Sequence, residues 1–157
     1  MWDALFSFTN IVALAGWVAL IALPRWKTLL MLVLYLGVGL LCAVYAVLLV
    51  ALLAGWVDPE PVAGGGRLTE YSVDGLMELF RSRGGIVVAW THYLAFDLFA
   101  GLWIARDADH KGFSRWVQAP ILLPTFLAGP LGLLMWLIVR ERRARRLERN
   151  QPAGTSR

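Results

Sequence analysis

His92, Tyr93 and Asp97 sit inside an otherwise apolar run, Trp90-Thr91-His92-Tyr93-Leu94-Ala95-Phe96-Asp97-Leu98-Phe99-Ala100-Gly101-Leu102-Trp103-Ile104. Imidazole, phenol and carboxyl are groups that take and give protons, so the run has the parts for general acid and base chemistry. It also reads as a membrane-spanning helix, where an ionisable side chain is costly and marks function by default. For Asp97 the functional readings are an acid or base for a lipid substrate, a proton relay, or an ion site. The other reading is an interhelical hydrogen bond that fixes a bundle.

Helical periodicity of about 100° per residue divides the run. Trp90, Tyr93, Asp97, Gly101 and Ile104 fall on one face, and His92, Phe96, Phe99 and Trp103 on another roughly 140° away. Asp97 and His92 therefore do not point together. Counting from Gly85, Asp97 lies on the order of 18 Å along the helix, past the middle of a hydrocarbon layer about 30 Å thick. His92 is nearer one edge, and Tyr93 is one turn from Asp97 on the same face.

The elements that must position these groups follow from hydropathy. A chain that is 59% hydrophobic, with eight Trp in 157 residues and a mean hydropathy of +0.62, is an integral membrane protein rather than a soluble domain. The expected fold is all-α: a single bundle of four transmembrane helices over residues 1–139, followed by a basic tail over 140–157. Spans are expected at about 5–23, 28–56, 85–105 and 117–139. Gly37 and Gly39 in the second span permit close helix approach.

Pro59-Glu60-Pro61 and Gly64-Gly65-Gly66 mark a loop in water between the second and third spans. Within it, Val73, Leu76, Met77, Leu79 and Phe80 against Asp74, Glu78, Arg81 and Arg83 predict a short amphipathic helix. Pro120, Pro124 and Gly129-Pro130 interrupt the fourth span. Pro130 removes a hydrogen bond to the carbonyl of Phe126, so a kink is expected there.

Four spans place both termini on one side, with every Lys and Arg except Arg25, Lys27, Arg106, Lys111 and Arg115. That majority makes the termini cytoplasmic by the positive-inside rule, although Arg25 and Lys27 after the first span argue the reverse. Six arginines between Arg140 and Arg149 read as an anchor for anionic membrane lipids, not for nucleic acid. Cys42 is the only cysteine, so no intrachain disulfide forms. No Gly-x-Ser-x-Gly elbow, phosphate-binding loop or His-Glu-x-x-His motif is present. No metal site is expected, because two histidines and one cysteine make a poor donor set. Neither lysine, Lys27 or Lys111, lies in a span to form a Schiff base.

Two blocks of the second half resemble the abscisic-acid-deficient-four-like membrane proteins. One runs from His92 to Gly101, with Trp103-Ile104 and Asp107 trailing it; the other is Pro124-Thr125-Phe126-Leu127-Ala128-Gly129-Pro130-Leu131-Gly132-Leu133-Leu134. The first half matches in hydropathy only. Many members of that family carry an arginine where this chain has Leu102, and no role of that cation is carried over.

The resemblance implies a four-helix membrane protein of carotenoid or isoprenoid metabolism, since plant members are associated with making neoxanthin from violaxanthin. That conversion is an isomerisation: an epoxide opens as an allylic proton leaves, which needs an acid and a base but no redox cofactor. Asp97, His92 and Tyr93 are then the catalytic candidates. Trp90, Phe96, Phe99, Gly101, Trp103 and Pro130 would line the substrate. The chain has no transit peptide, and its Ala-, Leu- and Arg-rich composition suits a bacterial inner (plasma) membrane, with a carotenoid, apocarotenoid or prenyl lipid as ligand. The alternative class is non-enzymatic: a lipid or pigment carrier, a small transporter, or a partner subunit of another membrane enzyme. A chain of this size is also open to homo-oligomerisation.

Overall fold

A computed structural model describes residues 1–23, 26–57 and 72–150, with the backbone alone for Glu78 and residues 143–150. The Pro59-Glu60-Pro61 and Gly64-Gly65-Gly66 loop lies outside the described residues, as do Pro24, Arg25 and the tail beyond Asn150. Among the described residues all regular structure is helical. We number the helices α1 (Trp2–Ala22), α2 (Lys27–Leu53), α3 (Val73–Leu79), α4 (Arg83–His110), α5 (Arg115–Leu127) and α6 (Gly129–Asn150).

Three of these, α1, α2 and α4, are long and apolar enough to cross a membrane. They match the first three expected spans. α4 begins where Ser82 Oγ accepts a hydrogen bond from the Gly85 N–H at 2.8 Å, a side-chain cap on one of the orphan donors of the first turn. It sits between its neighbours, and Leu98, fully buried, is the knob that seats it. A Cβ added at Gly16 of α1 or at Gly37 of α2 would run into the Leu98 side chain, so both glycines are what lets the helices close on it. Gly37 lies in a π-helical stretch of α2, Val33–Gly39. Gly39, the other small residue expected to pack, meets no neighbouring helix and lines an open groove instead. The short α3 forms where an amphipathic helix is expected. Val73, Leu76, Met77 and Phe80 are all exposed on or beside it.

The fourth expected span is not one kinked helix but two helices. α5 carries Pro120 and Pro124, and the chain leaves helical geometry at Ala128 (φ −157°, ψ 90°). Ala128 O then accepts from Leu131 N and Gly132 N, so a new helix starts with Pro130 in its first turn, where the missing N–H costs no intrahelical bond. α5 and α6 fold back on each other. Phe113, just before α5, packs edge-on to Trp136 of α6 with ring centroids 4.9 Å apart. Near the reversal, a Cβ on Gly132 would occupy the space of Thr125 Oγ1 and backbone. The hairpin packs along α4 with its tip beside Tyr93 and Asp97 and its open end beside Asp107. It therefore reaches only to the middle of α4.

Candidate functional site

Asp97 is buried in the middle of a spanning helix, 6% exposed. Its Oδ2 accepts from the Gly129 N–H at 3.3 Å. Gly129 is the first residue of α6, and its N–H is one of the donors that a helix start leaves without a partner. The carboxyl group thus caps α6 from another helix, at the end where the helix dipole favours negative charge. Contact is so close that a Cβ at residue 129 would fall within the carboxyl group, which leaves room only for glycine.

Tyr93, one turn before Asp97, donates its hydroxyl to Leu127 O at 2.8 Å. The same phenol stands beside the Asp97 carboxyl. Tyr93 and Asp97 together clasp the reversal from both sides, Leu127 by its carbonyl and Gly129 by its N–H. From Tyr93 an aromatic row leads away from the hairpin: Trp90 stacks on Tyr93 at 5.3 Å, and Phe6 of α1 lies 5.9 Å from Trp90. Asn10 fixes this row by accepting from Trp90 Nε1 at 3.2 Å. Gly101 lies one turn beyond Asp97, where the Trp17 ring fills the space a side chain would need. Pro130, in the first turn of α6, is exposed at the tip.

The opposite face of α4 is separate. His92 is exposed between Tyr45 of α2 and Phe96, with ring centroids at 5.3 and 4.6 Å. An apolar groove of about 480 Å³ continues from there, lined by Tyr35, Val38, Gly39, Cys42, Phe96 and Phe99. Trp103, at the far end of that face, receives Arg140 over its ring at 5.8 Å. The structure thus brings Asp97, Tyr93, Trp90 and Gly101 to the hairpin side and leaves His92, Phe96 and Phe99 on the groove side, while Trp103 meets Arg140 of α6. This apolar groove does not hold the Asp97 carboxyl group.

Sequence reasoning missed three partners. Gly129 and Gly132 belong to the second block of the resemblance, but what they pack against is not visible until α5 and α6 are folded together. Asp107 trails the first block of the resemblance with no partner assigned, yet its carboxylate ties the open end of the hairpin. Oδ2 accepts from Nε1 of the fully buried Trp136 at 3.0 Å and lies 3.5 Å from Arg140 Nε, while Oδ1 pairs with Lys111.

A family model described as ABA DEFICIENT 4-like matches residues 4–136. That range takes in α1, α2, α4, α5 and the first part of α6, including both ends of the Asp97–Gly129 contact. No curated protein and no solved structure matches the chain.

Proposed function

The chain belongs to the ABA DEFICIENT 4-like family, and from that premise we propose that it acts on a carotenoid or related isoprenoid by acid and base catalysis at Asp97 and Tyr93. One observation carries the reading: a buried carboxyl group stands at mid-span beside a phenol, at the tip of a hairpin that goes no further. The tip stops at Tyr93, and Trp90 and Phe6 beyond it are exposed. A long apolar molecule has a way in along that aromatic row, within the bilayer, to the two groups that exchange protons.

The chemistry suits an epoxide-bearing isoprenoid. An isomerisation of this type removes a proton from carbon, breaks a C–O bond of the epoxide, forms a new C=C bond and protonates the oxygen, with no net change of oxidation state. Asp97 is assigned the base and Tyr93 the acid. Tyr93 has one proton and two neighbouring oxygen acceptors, Leu127 O and the Asp97 carboxyl, so the proton has a short path between them. His92 is assigned no part in this step, because it stands on the other face of α4.

The test is pigment and isoprenoid extraction from cells that supply such substrates and express the wild type, Asp97→Asn or Tyr93→Phe. Expected is a product made by the wild type and lost in Asp97→Asn at unchanged membrane accumulation. Unaltered conversion in Asp97→Asn would sink the assignment. The groove favours a second reading, a bundle that holds a hydrophobe without converting it. That reading is supported if an isoprenoid co-purifies equally with the wild type and Asp97→Asn, makes no product, and is displaced by Gly39→Phe.

A further inference from the structure

The two ends of the helix stack differ in charge, and the hairpin is the reason. Arg115 at the start of α5 and Arg140 and Arg142 on the returning α6 emerge at the same end, because the hairpin turns back at mid-span. Lys27, Arg106 and Lys111 are there too. Arg106 reaches Leu30 O at 3.4 Å and Arg115 reaches Leu23 O at 2.5 Å, so these two cations tie α4 to the first part of α2 and α5 to the end of α1. The opposite end holds Arg81 and Arg83 among the described residues, and Arg83 is 3.5 Å from Asp3. Asp107, Asp109 and Glu141 at this end are outnumbered by Lys27, Arg106, Lys111, Arg115, Arg140 and Arg142, and of these cations Lys27, Arg106, Arg115 and Arg142 are exposed while Lys111 and Arg140 pair with Asp107. Trp26 and Trp116 stand out beside them, 69% and 89% exposed, as indoles do at the headgroup level.

We infer that this basic end is the cytoplasmic face, that it binds the phosphate headgroups of anionic lipids in the inner leaflet, and that α5 and α6 enter and leave the membrane through it without crossing. The N-terminal end of α1 then lies on the other side. Cations near an anionic leaflet are attracted within a Debye length, and basic residues flanking spans are retained on the cytoplasmic side. Three crossings and a half-length hairpin put Lys27, Arg106, Lys111 and Arg115 with the arginines of α6. A fourth crossing would divide them between two faces. The opposed charge signals of a four-span topology disappear.

Two measurements on the full chain test it. In a Cys42→Ser background, single cysteines replace Asp74, Ser114 or Arg142, and intact spheroplasts are treated with a membrane-impermeant maleimide. Expected is labelling of Asp74→Cys in intact spheroplasts, and of Ser114→Cys and Arg142→Cys only after the membrane is opened. Labelling of Ser114→Cys and Arg142→Cys from different sides overturns the half-length hairpin, and labelling of both from outside overturns the orientation. In vesicles of phosphatidylcholine, spin-labelled phosphatidylglycerol should be immobilised by the wild type several-fold in preference to spin-labelled phosphatidylcholine. The preference should fall in high salt and in the Arg106→Gln, Arg142→Gln double variant, and persist in Arg81→Gln. Equal immobilisation of the two lipids by the wild type overturns the lipid assignment.

Discussion

At the scale of single residues, Asp97 has two separable duties. Its carboxyl oxygen caps α6 through the Gly129 N–H, and in the proposed reaction it also moves a proton. Asparagine keeps an acceptor oxygen for the N–H but gives up the acid and base chemistry; leucine gives up both. Asp97→Asn should therefore melt within ~1 kcal/mol of the wild type in detergent while losing conversion. Asp97→Leu should be destabilised by ~1–3 kcal/mol, the cost of leaving a buried donor unpaired. Equal melting of the two would show that the Gly129 contact carries no stability. Gly129→Ala tests the contact from its other side. Its Cβ has no space beside the carboxyl group, so ~1–3 kcal/mol of overpacking is expected, together with lost conversion. A Gly129→Ala protein that converts substrate normally would remove Asp97 from the site.

The hairpin α5–α6 is the element that carries the site, and Asp107 is its clamp. Its carboxylate joins Trp136, Lys111 and Arg140, so it fixes α6 against α4 well away from the tip. Asp107→Ala leaves the indole N–H of a fully buried Trp136 without its acceptor, and a loss of ~1–3 kcal/mol is expected in thermal melting. Trp136→Phe should cost less in the Asp107→Ala background than in the wild type, because only the cavity term remains once the shared hydrogen bond is gone; additive losses would mean the two residues act independently. Sequence periodicity made α1, α2, α4 and the short α3 legible, since each is one uninterrupted stretch with its own hydropathy signal. It split Asp97 from His92 for the same reason, a fixed angle per residue. The hairpin was not legible. An apolar segment of 23 positions has the same composition whether it crosses the bilayer or doubles back, and the difference rests on Ala128 going extended and on Gly132 fitting against Thr125. The roles of Gly129 and Asp107 depend on that reversal and were hidden with it.

For the whole molecule, the half-length hairpin makes the bundle unequal in its two leaflets. α4 packs against α1, α2, α5 and α6, and the hairpin reaches α4 only as far as Tyr93, beyond which Phe6 of α1 lies against Trp90. The proposed site therefore opens to one leaflet, through the row Phe6, Trp90 and Tyr93, and its floor is the reversal at Leu127. Leu127 is 73% exposed. In the proposed reaction a substrate entering this way meets Trp90 before it meets Asp97, so Trp90 is assigned recognition and no proton transfer. Trp90→Ala should raise the substrate concentration needed for half-maximal conversion with little change in the limiting rate, whereas Tyr93→Phe should lower the limiting rate. Asn10→Leu, which removes only the acceptor for the Trp90 indole, should move the half-maximal concentration in the same direction by a smaller factor. Should Trp90→Ala lower the limiting rate as much as Tyr93→Phe does, the aromatic row belongs to the chemistry and entry must be sought from the groove on the far side of α4.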